Sequence, residues 1–197
     1  VINTHYHADH AWGTCFFPGA TVIAHARCRA LLAERGEPSL EAARRQNAAF
    51  RQVKIVPPHL TFDSGQLNLR VGKKNLILLP AAGHSEDGIS VLVEEDRVLF
   101  AGDAFMPLPY IVDGDVDDIA ASIRKIGRMG LENIVQGHGD IILRGEIDAL
   151  DDGILIGIRA DLQGGNMEAV PLEKAPRVAV YAPPNAAPWD DAVTMAL

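Results

Sequence analysis

Residues 5–10 read His-Tyr-His-Ala-Asp-His, so three imidazoles and a carboxylate occupy six consecutive positions. A polar surface loop would account for any one of them. The whole set constrains the chain further, because three more short stretches repeat its character. Each follows a strand-like run: His84 in "AAGHSEDG", Asp103 in "LFAGDAF" and His138 in "VQGHGD". Small residues flank all three, and glycine lets backbone approach closely where a side chain would crowd. The pattern is that of ligands presented from loops at one lip of a sheet. The two other histidines, His25 and His59, lack such company and read as surface or core residues.

The spacing carries chemistry. In an extended segment the side chains at i and i+2 point the same way, so His5 and His7 can grip one cation. Asp9 and His10 come where the chain turns and can serve a second. Imidazole with carboxylate suits zinc, and also iron or manganese. A carboxylate can bridge two cations, and Asp103 is the candidate for that role. Ser85 is a poor nucleophile candidate, because no Ser-His-Asp triad is suggested around it.

The rest of the chain fits one layered sheet-and-helix domain. A short helix is expected over 9–16, a strand at 21–26, a helix at 26–35 stopped by Gly36, and a second from Ser39 to 52. Strand-like runs follow at "LTF", "QLNLRV", "NLILLP", "GISVLVEE" and "RVLFAGD". A helix over 115–129 has an acidic first turn and later basic residues, matching the helix dipole. The acids Asp113, Asp115, Asp117 and Asp118 read as its start, with Asp115 as N-cap. "ENIVQ" reads as a strand, 144–154 as a helix, and 154–158 and 177–184 as strands. The domain is expected to end near residue 165, with 166–197 a separate segment.

Composition narrows the function classes. The net charge of −8 and scattered basic residues make a poor footprint for nucleic acid or an anionic membrane. No run of eighteen apolar residues suggests a membrane span. A small-molecule substrate is the expected partner. Cys15 and Cys28 read as two reduced thiols rather than a disulfide framework. They leave the compartment open, with the cytoplasm as the first expectation.

The ordered set HxHxDH, GHS, AGD and GHG resembles the metallo-β-lactamase fold superfamily over residues 1 to about 150. The resemblance implies an α/β (α+β) architecture, an αββα four-layer sandwich with two metals, zinc first, between loops at one edge. Members carry several strands ahead of the first histidine motif, so the sandwich is expected to be incomplete at its N-terminal side. Carried over by position, His5, His7 and His84 hold one metal, Asp9, His10 and His138 the other, and Asp103 bridges. Asp9 is then also the catalytic residue that orients the attacking water and takes its proton.

The implied activity is hydrolysis of a small ester, thioester, lactone or amide. His7 argues for hydrolysis, because glutamate there marks the di-iron oxidoreductase branch. Asp103 stands where the main zinc β-lactamases have cysteine, and no lysine follows closely. Met106 occupies the position of a lactonase tyrosine, and the basic C-terminal segment of glutathione-thioesterases is not evident. Phe105, Met106 and Tyr110, with Trp12, are candidates for an apolar substrate wall. Two alternatives share the fold: a truncated module that binds metal without turnover, and a mononuclear iron oxygenase.

Overall fold

The computed structural model describes residues 1–106, 110–145 and 147, all within the compact unit Val1–Leu162. The expected boundary near residue 165 and the strands at 154–158 and 177–184 lie outside the described residues, as does most of the helix at 144–154.

Among the described residues eight strands form two sheets. β1 (Ile23–His25) and β2 (Leu60–Phe62) pair in parallel. Six strands form the larger sheet in simple sequential order: β3 (Leu67–Val71), β4 (Lys74–Pro80), β5 (Ile89–Val93), β6 (Val98–Gly102), β7 (Asn133–Gln136) and β8 (Ile142–Leu143). β3 to β6 are antiparallel, β7 runs parallel to β6, and β8 returns antiparallel. β4 and β6 therefore run the same way, and β7 runs with them. Their C-terminal ends meet at one edge of the sheet, and the chain leaves those ends toward His84, Asp103 and His138.

The alternation within the strands sets the layers. On one face of the large sheet, Leu99 and Ala101 pack with Ile134 against Ile119, Ile123 and Ile126 of α4 (Val116–Gly127). Each such buried isoleucine contributes about 1.5–3 kcal/mol from apolar burial. α4 forms for local reasons as well. Asp115 caps it by accepting hydrogen bonds from the Asp117 and Asp118 amides, and Arg124 and Lys125 lie in its last turn.

On the other face Leu78, Ile89 and Val91 pack against Ile2, Ile23 and Phe62. Ala24 points away from them and joins Cys28 and Leu32 of the helical layer behind. The result is the expected α-β-β-α stack. Its second sheet is small: two strands, plus an isolated bridge from Ile2 to Ile23. Phe100, opposite Val91 on that inner face, remains 45% exposed.

The helical layer corrects two expectations. Gly36 does not stop a helix, and Ser39 does not start one. α2 (Ala26–Leu31) passes through a π-helical turn at Leu32–Gly36 straight into α3 (Glu37–Gln46), and 48–52 is a separate 3₁₀ turn. Pro38 has no amide to donate, so wider helical bonding ahead of it accommodates the gap without ending the helix. Gly36 is there for close packing: a Cβ would stand 3.2 Å from the Ile55 side chain. Ahead of the histidine motif, Ile2 makes only an isolated bridge to Ile23. Among the described residues no helix is long and apolar enough to cross a membrane.

Candidate metal centre

The histidine motif sits where the small sheet hands over to the helical layer. Thr4 O accepts from the Ile89 amide, pinning the motif to the start of β5. α1 (Ala8–Ala11) begins directly after His7, whose carbonyl accepts from the His10 and Ala11 amides. This one-turn helix swings Asp9 and His10 away from His5 and His7. Six consecutive residues thus supply two diverging sets of donors.

The structure brings all seven candidate ligands together. His5, His7 and His84 each offer a ring nitrogen within 4.8 Å of the others'. Asp9, His10 and His138 form a second such group, and His5, His10 and Asp103 a third that overlaps both. His7 Nδ1 is 3.0 Å from His84 Nε2, and His10 Nε2 is 3.3 Å from His138 Nε2. Asp103 lies between the groups: Oδ1 is 3.2 Å from His10 Nε2, and Oδ2 is 3.3 Å from His84 Nε2 and 3.5 Å from His138 Nε2. Asp9 Oδ2 is 3.2 Å from His10 Nε2 and 3.1 Å from His138 Nε2, on the solvent side.

Gly137 makes this approach feasible. A Cβ there would fall 1.8 Å from Asp103 Oδ1. Its amide donates to Gly102 O, which holds the ends of β6 and β7 together.

The donor set suits a cation. His5 Nε2 and Asp103 Oδ1 are buried without a hydrogen bond, although buried polar atoms are nearly always partnered. Burial, reinforced by His10 and His7, pushes the His5 pKa down to about 2. Burial and His84 lower that of His7. Both rings are therefore neutral at ordinary pH, with lone pairs free to coordinate. Burial opposes ionisation of Asp103, but the neighbouring His10 outweighs it and holds the carboxyl below its usual range. The neutral His5 and His7 rings beside the ionised Asp103 carboxylate are donors that zinc and related divalent ions take.

A cleft of about 300 Å³ opens beside the cluster, lined by His7, Asp9, His84, Asp103 and His138 and by Met106, Tyr110 and Val112. Two expected wall residues lie elsewhere. Trp12 is 8% exposed and packs with Leu40 and Val53, and Phe105 is 5% exposed within the α4 core. Val112 joins the lining without having been singled out by any motif. Asp113 was read with the start of α4, yet it precedes the cap and faces the histidines: Oδ1 is 3.4 Å from His7 Nε2. Cys15 and Cys28 are both free thiols.

A family model described as the metallo-beta-lactamase superfamily matches residues 1–183. The chain is 25% identical over 142 residues to a beta-lactamase-like protein 2 homolog of Caenorhabditis elegans, covering 72% of this chain and 42% of the relative. It is 29% identical over 143 residues to the thioesterase pkgB of Emericella nidulans, covering 73% of this chain and 35% of the relative. The chain thus spans less than half the length of either. Among solved structures, a metallo-beta-lactamase from Pontibacter korlensis superposes with a TM-score of 0.60 at 19% identity, over 79% of this chain and 67% of that one. At that identity the likeness is one of fold.

Proposed function

The chain belongs to the metallo-beta-lactamase superfamily, and on that premise we propose that it is a dinuclear zinc hydrolase that cleaves a small ester, thioester, lactone or amide. The observation that carries the reading is the position of Asp103, whose two oxygens reach histidines of both donor groups. In the proposal His5, His7 and His84 hold one ion, Asp9, His10 and His138 the other, and Asp103 lies between them. The bound ions would supply a water acidic enough to be hydroxide near neutral pH and would polarise the substrate carbonyl.

The protein's own groups supply the rest. Asp9 sits at the cleft mouth with its side chain half exposed. From there its carboxylate orients the attacking water and accepts a proton. Met106, Tyr110 and Val112 form the apolar side of the cleft and receive the substrate's acyl portion. The fungal relative's name, a thioesterase, favours a thioester among the four bond types.

Metal content per chain, measured on protein purified without added metal, tests the reading together with hydrolysis of a thioester, lactone and β-lactam panel. Two zinc per chain and activity abolished by a chelator are expected. A folded chain with no metal and no hydrolysis would overturn it. Iron as the sole metal, with oxygen consumption, would replace it by oxidation chemistry.

A further inference from the structure

Every histidine in the first donor group has a second ring nitrogen that must go somewhere. His5 Nδ1 is 3.1 Å from Thr4 Oγ1, and His84 Nδ1 contacts Tyr110 O. For His7 that nitrogen is Nε2, since Nδ1 faces His84. His7 Nε2 and Asp113 Oδ1 are both buried, and neither has another hydrogen-bond partner. They face each other at 3.4 Å.

Asp113 is itself held firmly. Its Oδ2 accepts from the Tyr6 hydroxyl at 2.6 Å and from Arg35 Nη1 at 2.7 Å. Arg35 Nη1 also lies 3.1 Å from the Tyr6 oxygen, which closes a triangle of three side chains. The backbone is tied down too. The Val112 amide donates to His84 O, and Ser85 and Asp113 form an isolated bridge. A Cβ on Gly114 would fall 1.9 Å from Gly83 O, so the two segments meet backbone to backbone.

We propose that Asp113 is a positioning residue: held by Tyr6 and Arg35, it keeps the His7 proton on Nε2 and thereby aims the Nδ1 lone pair into the centre. A carboxylate behind a histidine ligand fixes the ring's tautomer and orientation and raises its basicity. The proposal rests on the reading of His7 as a metal ligand. It adds that the segment forming the cleft's apolar wall, Tyr110 to Asp113, also sets two of the histidines.

The test uses the full chain, its Asp113→Ala variant and its Arg35→Gln variant. Zinc affinity is read by competition with a chromophoric chelator. The His7 tautomer is read by long-range ¹H–¹⁵N NMR, with and without zinc. Expected is a roughly 10–100-fold loss of affinity at one site in Asp113→Ala and a smaller loss in Arg35→Gln. The His7 proton should sit on Nε2 in the parent and redistribute in Asp113→Ala. Parent-like affinity with an unchanged tautomer overturns the proposal. So does an equal affinity loss at both sites tracking a lower melting temperature of the metal-free variant, because that marks a merely structural role. If Asp113→Ala does not fold, Arg35→Gln carries the same test, since its side chain is 39% exposed. A parent that binds no zinc overturns the reading of His7 as a zinc ligand whatever its tautomer, whereas zinc binding that Asp113→Ala leaves unchanged overturns the positioning role alone.

Discussion

His7 Nδ1 stands 3.0 Å from His84 Nε2, although 77 residues separate them in the chain. Without a cation, two ring nitrogens that close either share a proton or set two lone pairs against each other. With one, both lone pairs are used. Zinc should therefore stabilise the fold, by about 2.7 kcal/mol per site at a hundredfold excess over its dissociation constant. A melting curve with and without zinc, then with chelator, checks this. An unchanged melting temperature would remove the basis for a metal site.

Gly137 is expected to tolerate no side chain while Asp103 keeps its place. In Gly137→Ala the added carbon displaces the Asp103 carboxylate, which a Cβ would otherwise meet at 1.8 Å. A displacement on the order of 1 Å at a reacting centre costs about 10²-fold in rate. Circular dichroism should show the fold retained while hydrolysis and metal retention on dialysis both fall.

Asp9→Asn separates the proton acceptor from the deeper ligands. If Asp9 takes the proton of the attacking water, hydrolysis should drop about 10²–10⁴-fold. Metal at His5, His7 and His84 should survive, because Asp9 is not in that group. Near-parental activity in the variant would assign the proton elsewhere.

Asp87 gives the chain a pH-dependent stability. The residue is fully buried, and burial raises its carboxyl pKa, with Ser85 and Cys28 only partly offsetting this. The unfolded chain ionises it near 3.8, the folded chain at higher pH. Between the two values the folded state binds more protons, so stability falls as pH rises through that window. Asp87→Asn has no proton to lose there. Urea unfolding from about pH 4 upward should show the variant gaining on the parent as pH increases. A gap independent of pH would mean that Asp87 stays in one protonation state throughout.

Asp115→Ala removes the carboxylate oxygen that accepts from two amides at the start of α4 and should cost about 1 kcal/mol in urea unfolding. Since α4 connects the strands that lead into Asp103 and Gly137, a small loss of zinc affinity should accompany it.

The candidate donor set and its order were legible in the sequence by itself. His5, His7, His84, Asp103 and His138 each follow a strand-like run and are flanked by small residues or packed into one motif, which are local signals. The strands from β2 to β7 and the cap of α4 were legible for the same reason: alternation and capping act within a few residues. Tertiary structure decided what depends on distant partners. Whether Trp12 and Phe105 line a cleft or fill a core is settled by which layers stack on them, and both went to cores. Gly36 read as a helix stop, but the chain passes it through a π-helical turn, and its missing side chain serves the packing of Ile55 instead. Asp113 looked like one more acid before a helix, because its partners Tyr6 and Arg35 lie 107 and 78 residues away. A hydrogen bond between side chains that far apart leaves no periodicity in the sequence. It comes into being only when β4, β6 and β7 deliver their C-terminal ends to one edge and the loops there close on the histidines.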